Sequence, residues 1–329
     1  MTKKEIGYNI LKSNPNISTA DLALAINGNR RYARQLREKF QGFETDEIPS
    51  EILPAEDLVR QKKERFVQRE AAAGAKKLRS IRITIPGPIG ICHMDDPHID
   101  DDGTDICRIE HDLKLIRDTE GMFGANVGDV HNNWAGRLAR LYGEQSTSSR
   151  EAWELVKWYL GYIPWLYVVG GNHDCWDGKD ILLDWIIGQN GNFGPSYVRM
   201  SLAFANGREV RVNARHKFPG TSIYNPAHGP MRAALFGWRD HILTCGHLHK
   251  TGYGLLKCPV TGMISHALQI ATYKIYDQYA IELGLPDQNI SPNCTTVIDP
   301  EATNDVNLVT IFWDLETAAD FLTYLRRRK

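Results

Sequence analysis

Five short segments of the chain end in residues that can do chemistry, and all five share one build. Val168-Val169-Gly170-Gly171 runs into Asn172-His173-Asp174, Ile89 to Met94 into Asp95-Asp96-Pro97-His98, and Gly124 to Gly128 into Asp129. Val210 to Arg215 runs into His216, and Ile242 to Gly246 into His247-Leu248-His249. Each opening stretch reads as a strand, and each is followed at once by Asp, His or Asn. Side chains of these types ligate metal ions and carry protons. At the C-terminal ends of strands in an open α/β sheet they stand where ligands bind. The paired glycines before Asn172 predict a tight turn with backbone angles closed to other residues.

Taken in order, Asp96-x-His98, Gly128-Asp129, Gly171-Asn172-His173-Asp174, His216 and Gly246-His247-x-His249 resemble the calcineurin-like metallophosphoesterase superfamily. The resemblance runs from about Ile89 to His249 and fills every signature block of that family. It implies an α/β fold of two facing sheets flanked by helices. It also implies a hydrolase with two divalent transition-metal ions, which together polarise a phosphoester and supply a nucleophile near neutral pH. By resemblance Asp129 bridges the ions, Asp96, His98 and His249 complete one site, and Asn172, His216 and His247 complete the other. Asp95 stands beside Asp96, but the Asp-x-His spacing selects Asp96. His173 is left as the acid that protonates the leaving oxygen, oriented by Asp174. The mixed nitrogen and oxygen set suits manganese first, with iron, zinc or nickel as alternatives, whereas magnesium prefers oxygen alone.

The sequence departs from the protein Ser/Thr phosphatases, which carry an Arg-Gly pair shortly after the bridging Asp and a Glu where Asp174 stands. Here Val130-His131-Asn132-Asn133-Trp134 follows Asp129. His131 and Asn133 are candidate substrate contacts. The acidic run Asp100-Asp101-Asp102-Gly103-Thr104-Asp105 reads as a solvated turn.

The elements that must hold these groups can be read around them. Helices are expected over Glu110 to Asp118, Ser149 to Tyr162, Lys179 to Ile187, Tyr273 to Leu283 and Thr317 to Arg328. A hairpin is expected from Tyr197 to Phe204 and Glu209 to Ala214 across Asn206-Gly207. The tryptophans on and after the Ser149 helix (Trp153, Trp158 and Trp165) read as core. With six cysteines, no C-x-x-C pair, and Cys92 and Cys245 inside apolar runs, buried free thiols are expected.

Residues 1–42 read as a trihelical module, 43–80 as an acidic linker and exposed helix, and 81–329 as the phosphoesterase domain. The third N-terminal helix, Arg30 to Phe40, buries Ala33, Leu36 and Phe40 and turns Arg30, Arg31, Arg34 and Arg37 outward. A short helix, a turn and a basic helix make the helix-turn-helix pattern, so these arginines are candidate DNA contacts. The module could equally serve assembly into an oligomer. The net charge of −1 excludes a global attraction to nucleic acid, so any such attraction is local. No apolar run approaches the ~20 residues of a membrane helix, and no signal-peptide core follows Met1, so a cytoplasmic protein without membrane contact is expected. The expected activity is hydrolysis of phosphodiester bonds in DNA. The alternatives are a small-molecule or cyclic-nucleotide phosphodiesterase, and a non-catalytic DNA-binding regulator.

Overall fold

The computed structural model describes residues 1–42, 52–176, 192–276, 284 and 288–328. The expected helix from Lys179 to Ile187, the first acidic residues of the linker and the end of the Tyr273 to Leu283 helix lie outside the described residues. The chain divides into two compact units, Met1–Arg69 and Glu70–Lys329.

In the first unit three helices, α1 (Lys3–Ser13), α2 (Thr19–Ala25) and α3 (Arg30–Gln41), enclose Leu11, Leu22, Ile26, Ala33 and Leu36. Their ends are set by side chains that satisfy free backbone donors. Thr2 and Glu5 form a capping box on α1, Ser18 accepts from Asp21 N at 3.1 Å, and Asn29 accepts from Tyr32 N at 2.8 Å. Between α2 and α3 the chain turns through Asn27, which takes a positive φ of 46°. Phe40, expected in the core, is 36% exposed, with its ring tilted against Tyr8 at a centroid distance of 5.8 Å. The long helix α4 (Ala55–Lys76) carries exposed residues along its described length, as its mixed composition predicts.

The second unit holds two six-stranded mixed sheets. One has β2 (Ile89–Met94), β3 (Met122–Asn126), β4 (Trp165–Val169) and β5 (Phe193–Gly194) side by side and parallel. Its other edge is completed by antiparallel β11 (Asn293–Ile298) and β12 (Val309–Phe312). The second sheet has the order β1 (Arg79–Arg82), β6 (Tyr197–Ala203), β7 (Glu209–Arg215), β8 (Ile242–Cys245), β10 (Ile264–Gln269) and β9 (Gly252–Lys257). β6 and β7 form the expected hairpin, with Tyr197 opposite Arg215 and Gly207 in the turn at φ 82°.

The period of two along each strand sorts side chains into two cores. Ile89 and Ile91 of β2 face Met200, Leu202, Val210 and Val212 of the other sheet, while Cys92 and Met94 face the helices. Those helices are α5 (Ile106–Asp118), α6 (Ser149–Gly161) and, at the C-terminal end, Leu315–Arg327, which supply Leu113, Val156, Tyr159 and Leu322. β2 therefore has both faces buried, which accounts for its nearly unbroken apolar run. Trp153, Trp158 and Trp165 pack against this outer core. Tyr273 to Tyr276, expected to open a helix, is extended instead: Lys274 bridges Thr104, and Tyr273 is fully buried with its hydroxyl on Asp112 at 2.8 Å. All six cysteines are free. Among the described residues no helix is long and apolar enough to cross a membrane.

Candidate metal centre

Parallel pairing brings the chemistry to one end of each sheet. Asp96 and His98 follow β2, Asp129 follows β3, and the short helix α7 (Asn172–Cys175) follows β4. β7 leads to His216 and β8 to His247 and His249, and those two strands are also parallel neighbours. The seven expected ligands thus collect from five strand ends.

The backbone there is strained. Asp96, His98, Asp129, His247 and His249 all take positive φ, between 30° and 71°, a region that costs a non-glycine residue about 1–3 kcal/mol. Such angles persist only where surrounding packing enforces them. Gly171, by contrast, has an ordinary φ of −90°. Its turn does not need special angles, contrary to the sequence expectation; it needs space. A Cβ on Gly171 would stand 2.5 Å from Asp129 Cγ, and one on Gly128 would enter the His216 ring.

The donor atoms converge tightly. His216 Nε2 lies 3.0 Å from Asn172 Oδ1, 3.0 Å from His247 Nδ1 and 3.3 Å from Asp129 Oδ2. One Nε2 position facing three such neighbours is poorly served by hydrogen bonding. The spacing fits an ion at their centre, because ligands about 2.1 Å from a metal at near-right angles stand about 3.0 Å apart. Beside this group, His249 Nε2 is 3.3 Å from Asp96 Oδ2. His98, Asp129 and His173 also offer donor atoms that lie within 4.8 Å of one another. Asp96 Oδ1 is buried without a hydrogen-bond partner. The residues therefore fit two divalent ions sharing Asp129.

Electrostatics follow from this crowding. Burial opposes charge on Asp96, but the His216 and His249 imidazoles hold it below the usual carboxylate range. Burial also opposes charge on Asp129, yet His216, His173 and His98 lower it. Asp95 goes the other way, raised well above normal by burial and by Asp96 and Asp129. Two adjacent carboxylates are thus pushed apart, and the one that faces the imidazoles is Asp96. Burial lowers His98 to about 3, which leaves its ring neutral and able to ligate.

Two six-stranded mixed sheets flanked by helices are the architecture that the sequence resemblance implies. Solved structures similar to this chain include Vacuolar Protein Sorting 29 from Cryptosporidium parvum, at 14% identity over 69% of this chain and 98% of that one, with a TM-score of 0.37. The calcineurin-like phosphoesterase YfkN from Bacillus subtilis is 11% identical over 74% of this chain and 100% of that one, with a TM-score of 0.37. No family model and no curated protein matches the sequence. Identities this low carry nothing about substrate or activity.

Three sequence expectations need correction. Asp174 does not orient His173. Its carboxylate accepts from Val130 N at 3.0 Å and Gly171 N at 2.8 Å, and meets His131 Nδ1 at 3.2 Å. Successive side chains on a helix diverge, so neighbours in sequence cannot share one task here. The partner of His173 is the main-chain carbonyl of Asn132, 2.6 Å from Nδ1, while Nε2 is turned toward Asp129 at 4.0 Å. His131 and Asn133 are not poised for substrate either. Both are about 1% exposed: His131 packs edge-on against Trp153, and Asn133 Nδ2 donates to the His173 carbonyl at 2.7 Å. In the first unit Arg37 is half-buried and donates to the Ile17 carbonyl, so it ties α3 to the loop before α2. Arg30, Arg31 and Arg34 are exposed, with Arg34 Nε on Glu38 at 2.9 Å.

Sequence reasoning missed Trp134 and Trp176, whose ring centroids stand 5.3 and 4.2 Å from that of His173. It also missed Asn132, since a main-chain carbonyl leaves no signal in residue type.

Proposed function

We propose that this chain is a dinuclear-metal phosphodiester hydrolase that acts on DNA. The observation that carries the reading is the convergence of Asn172, His216, His247 and Asp129 donor atoms at 3.0–3.3 Å around His216 Nε2. Divalent ions held there, manganese in this reading and iron, zinc or nickel as substitutes, would draw charge off the phosphoryl oxygens and supply a nucleophile near neutral pH. Asp129 would serve both sites, with Asp96, His98 and His249 to hold one ion and Asn172, His216 and His247 to hold the other. His173 gives its Nε2 proton to the departing oxygen, while its Nδ1–H goes on donating to the Asn132 carbonyl. Buried Asp174 and His131 brace the turn that carries His173.

Support for DNA comes from the exposed Arg30, Arg31 and Arg34 on α3 of a three-helix unit. The commitment of Arg37 to Ile17 and the pairing of Arg34 with Glu38 reduce that basic face. They favour a second reading, a small-molecule or cyclic-nucleotide phosphodiesterase whose N-terminal unit serves assembly. The test uses purified, manganese-loaded protein on bis-p-nitrophenyl phosphate, a single-stranded oligonucleotide and a cyclic nucleotide. Two ions per chain, diester hydrolysis and cleavage of the oligonucleotide are expected, with Asp129→Ala nearly inactive. Full activity in Asp129→Ala overturns the site, and cleavage of the cyclic nucleotide alone selects the second reading.

A further inference from the structure

Three consecutive aspartates, Asp100 to Asp102, look in sequence like part of a solvated turn. In the fold each of them grips another part of the chain. Asp100 is about 1% exposed, and its Oδ1 accepts from Asn132 N at 2.7 Å while Oδ2 meets Gln145 Nε2 at 3.4 Å. Asp101 Oδ2 accepts from Asn132 Nδ2 at 2.9 Å and pairs with Lys274 Nζ at 2.9 Å. Asp102 Oδ2 accepts from Ser146 N at 2.9 Å. The loop is itself anchored, with Asp105 N donating to the Tyr273 carbonyl at 2.9 Å and Ile275 N to the Gly103 carbonyl at 3.0 Å.

The residue at the centre of these bonds is Asn132. Its main-chain N–H is on Asp100, and its side chain is on Asp101 and, at 3.1 Å, on Gln145 Oε1. Its carbonyl is the acceptor for His173 Nδ1. We infer that the acidic loop is a clasp that positions the proton donor: Asp100 and Asp101 hold the Asn132 peptide so that its carbonyl accepts from His173 Nδ1 and fixes the ring with Nε2 turned toward Asp129. The inference rests on the proposed role of His173. A carbonyl can only accept, so Nδ1 is the donor in this pair, and its bond fixes the plane of the ring. A charged acceptor on the Asn132 N–H makes this a strong bond, about twice a neutral one. Asp100 and Asp101 are positioning residues, since neither is in contact with His173 among the described contacts.

The experiment compares wild type with Asp100→Ala, Asp100→Asn and Gln145→Ala in the full chain. Two diesters are used, the dinucleotide thymidylyl-thymidine and bis-p-nitrophenyl phosphate, together with metal content and long-range ¹H–¹⁵N spectra of the His173 ring. Asp100→Ala should retain both ions and its KM, and lose about 10- to 100-fold in kcat on the dinucleotide, the cost of an ångström-scale misplacement. It should change little on the chromogenic diester, whose leaving group needs little protonation. Asp100→Asn, which keeps an acceptor for Asn132 N–H, should recover most of the loss, and Gln145→Ala should show a smaller loss of the same kind. The His173 Nδ1–H signal, protected by its hydrogen bond to the Asn132 carbonyl in wild type, should exchange with water faster in Asp100→Ala. Equal losses on both substrates, loss of metal, or an Nδ1–H signal as protected as in wild type overturn the inference. Should wild type bind no metal and cleave no diester, the proposed function fails, and the ring spectrum still decides the clasp. If Asp100→Ala does not fold, Gln145→Ala carries the same readouts.

Discussion

Gly171→Ala is the sharpest perturbation the geometry offers. The new Cβ would stand 2.5 Å from Asp129 Cγ and closer still to Asp129 Oδ1 and N, whereas ordinary contacts begin at 3.4 Å. The difference, 3.4 − 2.5 = 0.9 Å, must be taken up by Asp129 or by the turn itself. One of the clashing atoms is backbone, so a rotamer change cannot relieve the contact. Metal sites tolerate ligand displacements of only about 0.2 Å. A shift several times larger at the one carboxylate shared by both sites should cost both ions. The backbone is not the obstacle, because Gly171 has φ −90°, which alanine adopts freely. Overpacking of this kind costs about 1–3 kcal/mol of stability, so the protein should remain folded. The assay is metal content per chain after dialysis, alongside circular dichroism and thermal melting. Gly74→Ala is the control, since a Cβ there meets nothing within 4 Å. A folded Gly171→Ala protein that keeps two ions and wild-type hydrolysis would refute the close-approach argument.

The remaining expectations are independent of that one. His173→Ala should leave metal content intact and lower turnover by about 10²–10⁴-fold on diesters with poor leaving groups, with a smaller loss on bis-p-nitrophenyl phosphate; equal losses would make His173 a ligand or a structural residue. If α3 contacts DNA, affinity should fall with salt at a log–log slope of about −0.9 per neutralised phosphate, and Arg31→Ala with Arg34→Ala should flatten it by about two. Unchanged binding in that double variant would move the unit to protein contact. Burial lowers His93, which bonds Tyr167 and Thr296, from 6.5 to about 3. Between those values the unfolded chain holds a proton that the folded chain does not. Stability is therefore full above about pH 6.5 and falls toward pH 3, by up to about 1.4 kcal/mol per pH unit. Chemical unfolding of His93→Gln across this range should show a shallower acid limb, and an unchanged limb would assign the loss to other groups.

The strand-end placement of the candidate ligands was legible in the sequence because each sits at the end of a strand that must be apolar to be buried. Asp96, Asp129, Asn172, His216 and His247 follow β2, β3, β4, β7 and β8 within a few residues, so strand pattern and residue type point to the same positions. The hairpin of β6 and β7 was legible for the same local reason, since Asn206-Gly207 supplies the turn. β9, β10 and β11 were not read, and β11 pairs with β2 across about 200 residues of sequence separation.

Which partner each surrounding side chain takes was decided only by tertiary structure. The sequence places Asp174 beside His173, yet packing turns it to Val130, Gly171 and His131. His173 takes its partner from a carbonyl 41 residues away, and Asp100 grips a main-chain N–H 32 residues away. Arg37 reads as one more outward arginine until the Ile17 carbonyl arrives beside it. The reason is common to all four. Main-chain donors and acceptors are the same at nearly every residue, so a side chain that bonds to one leaves no pattern in the sequence and acquires its role only when the fold brings that peptide within reach.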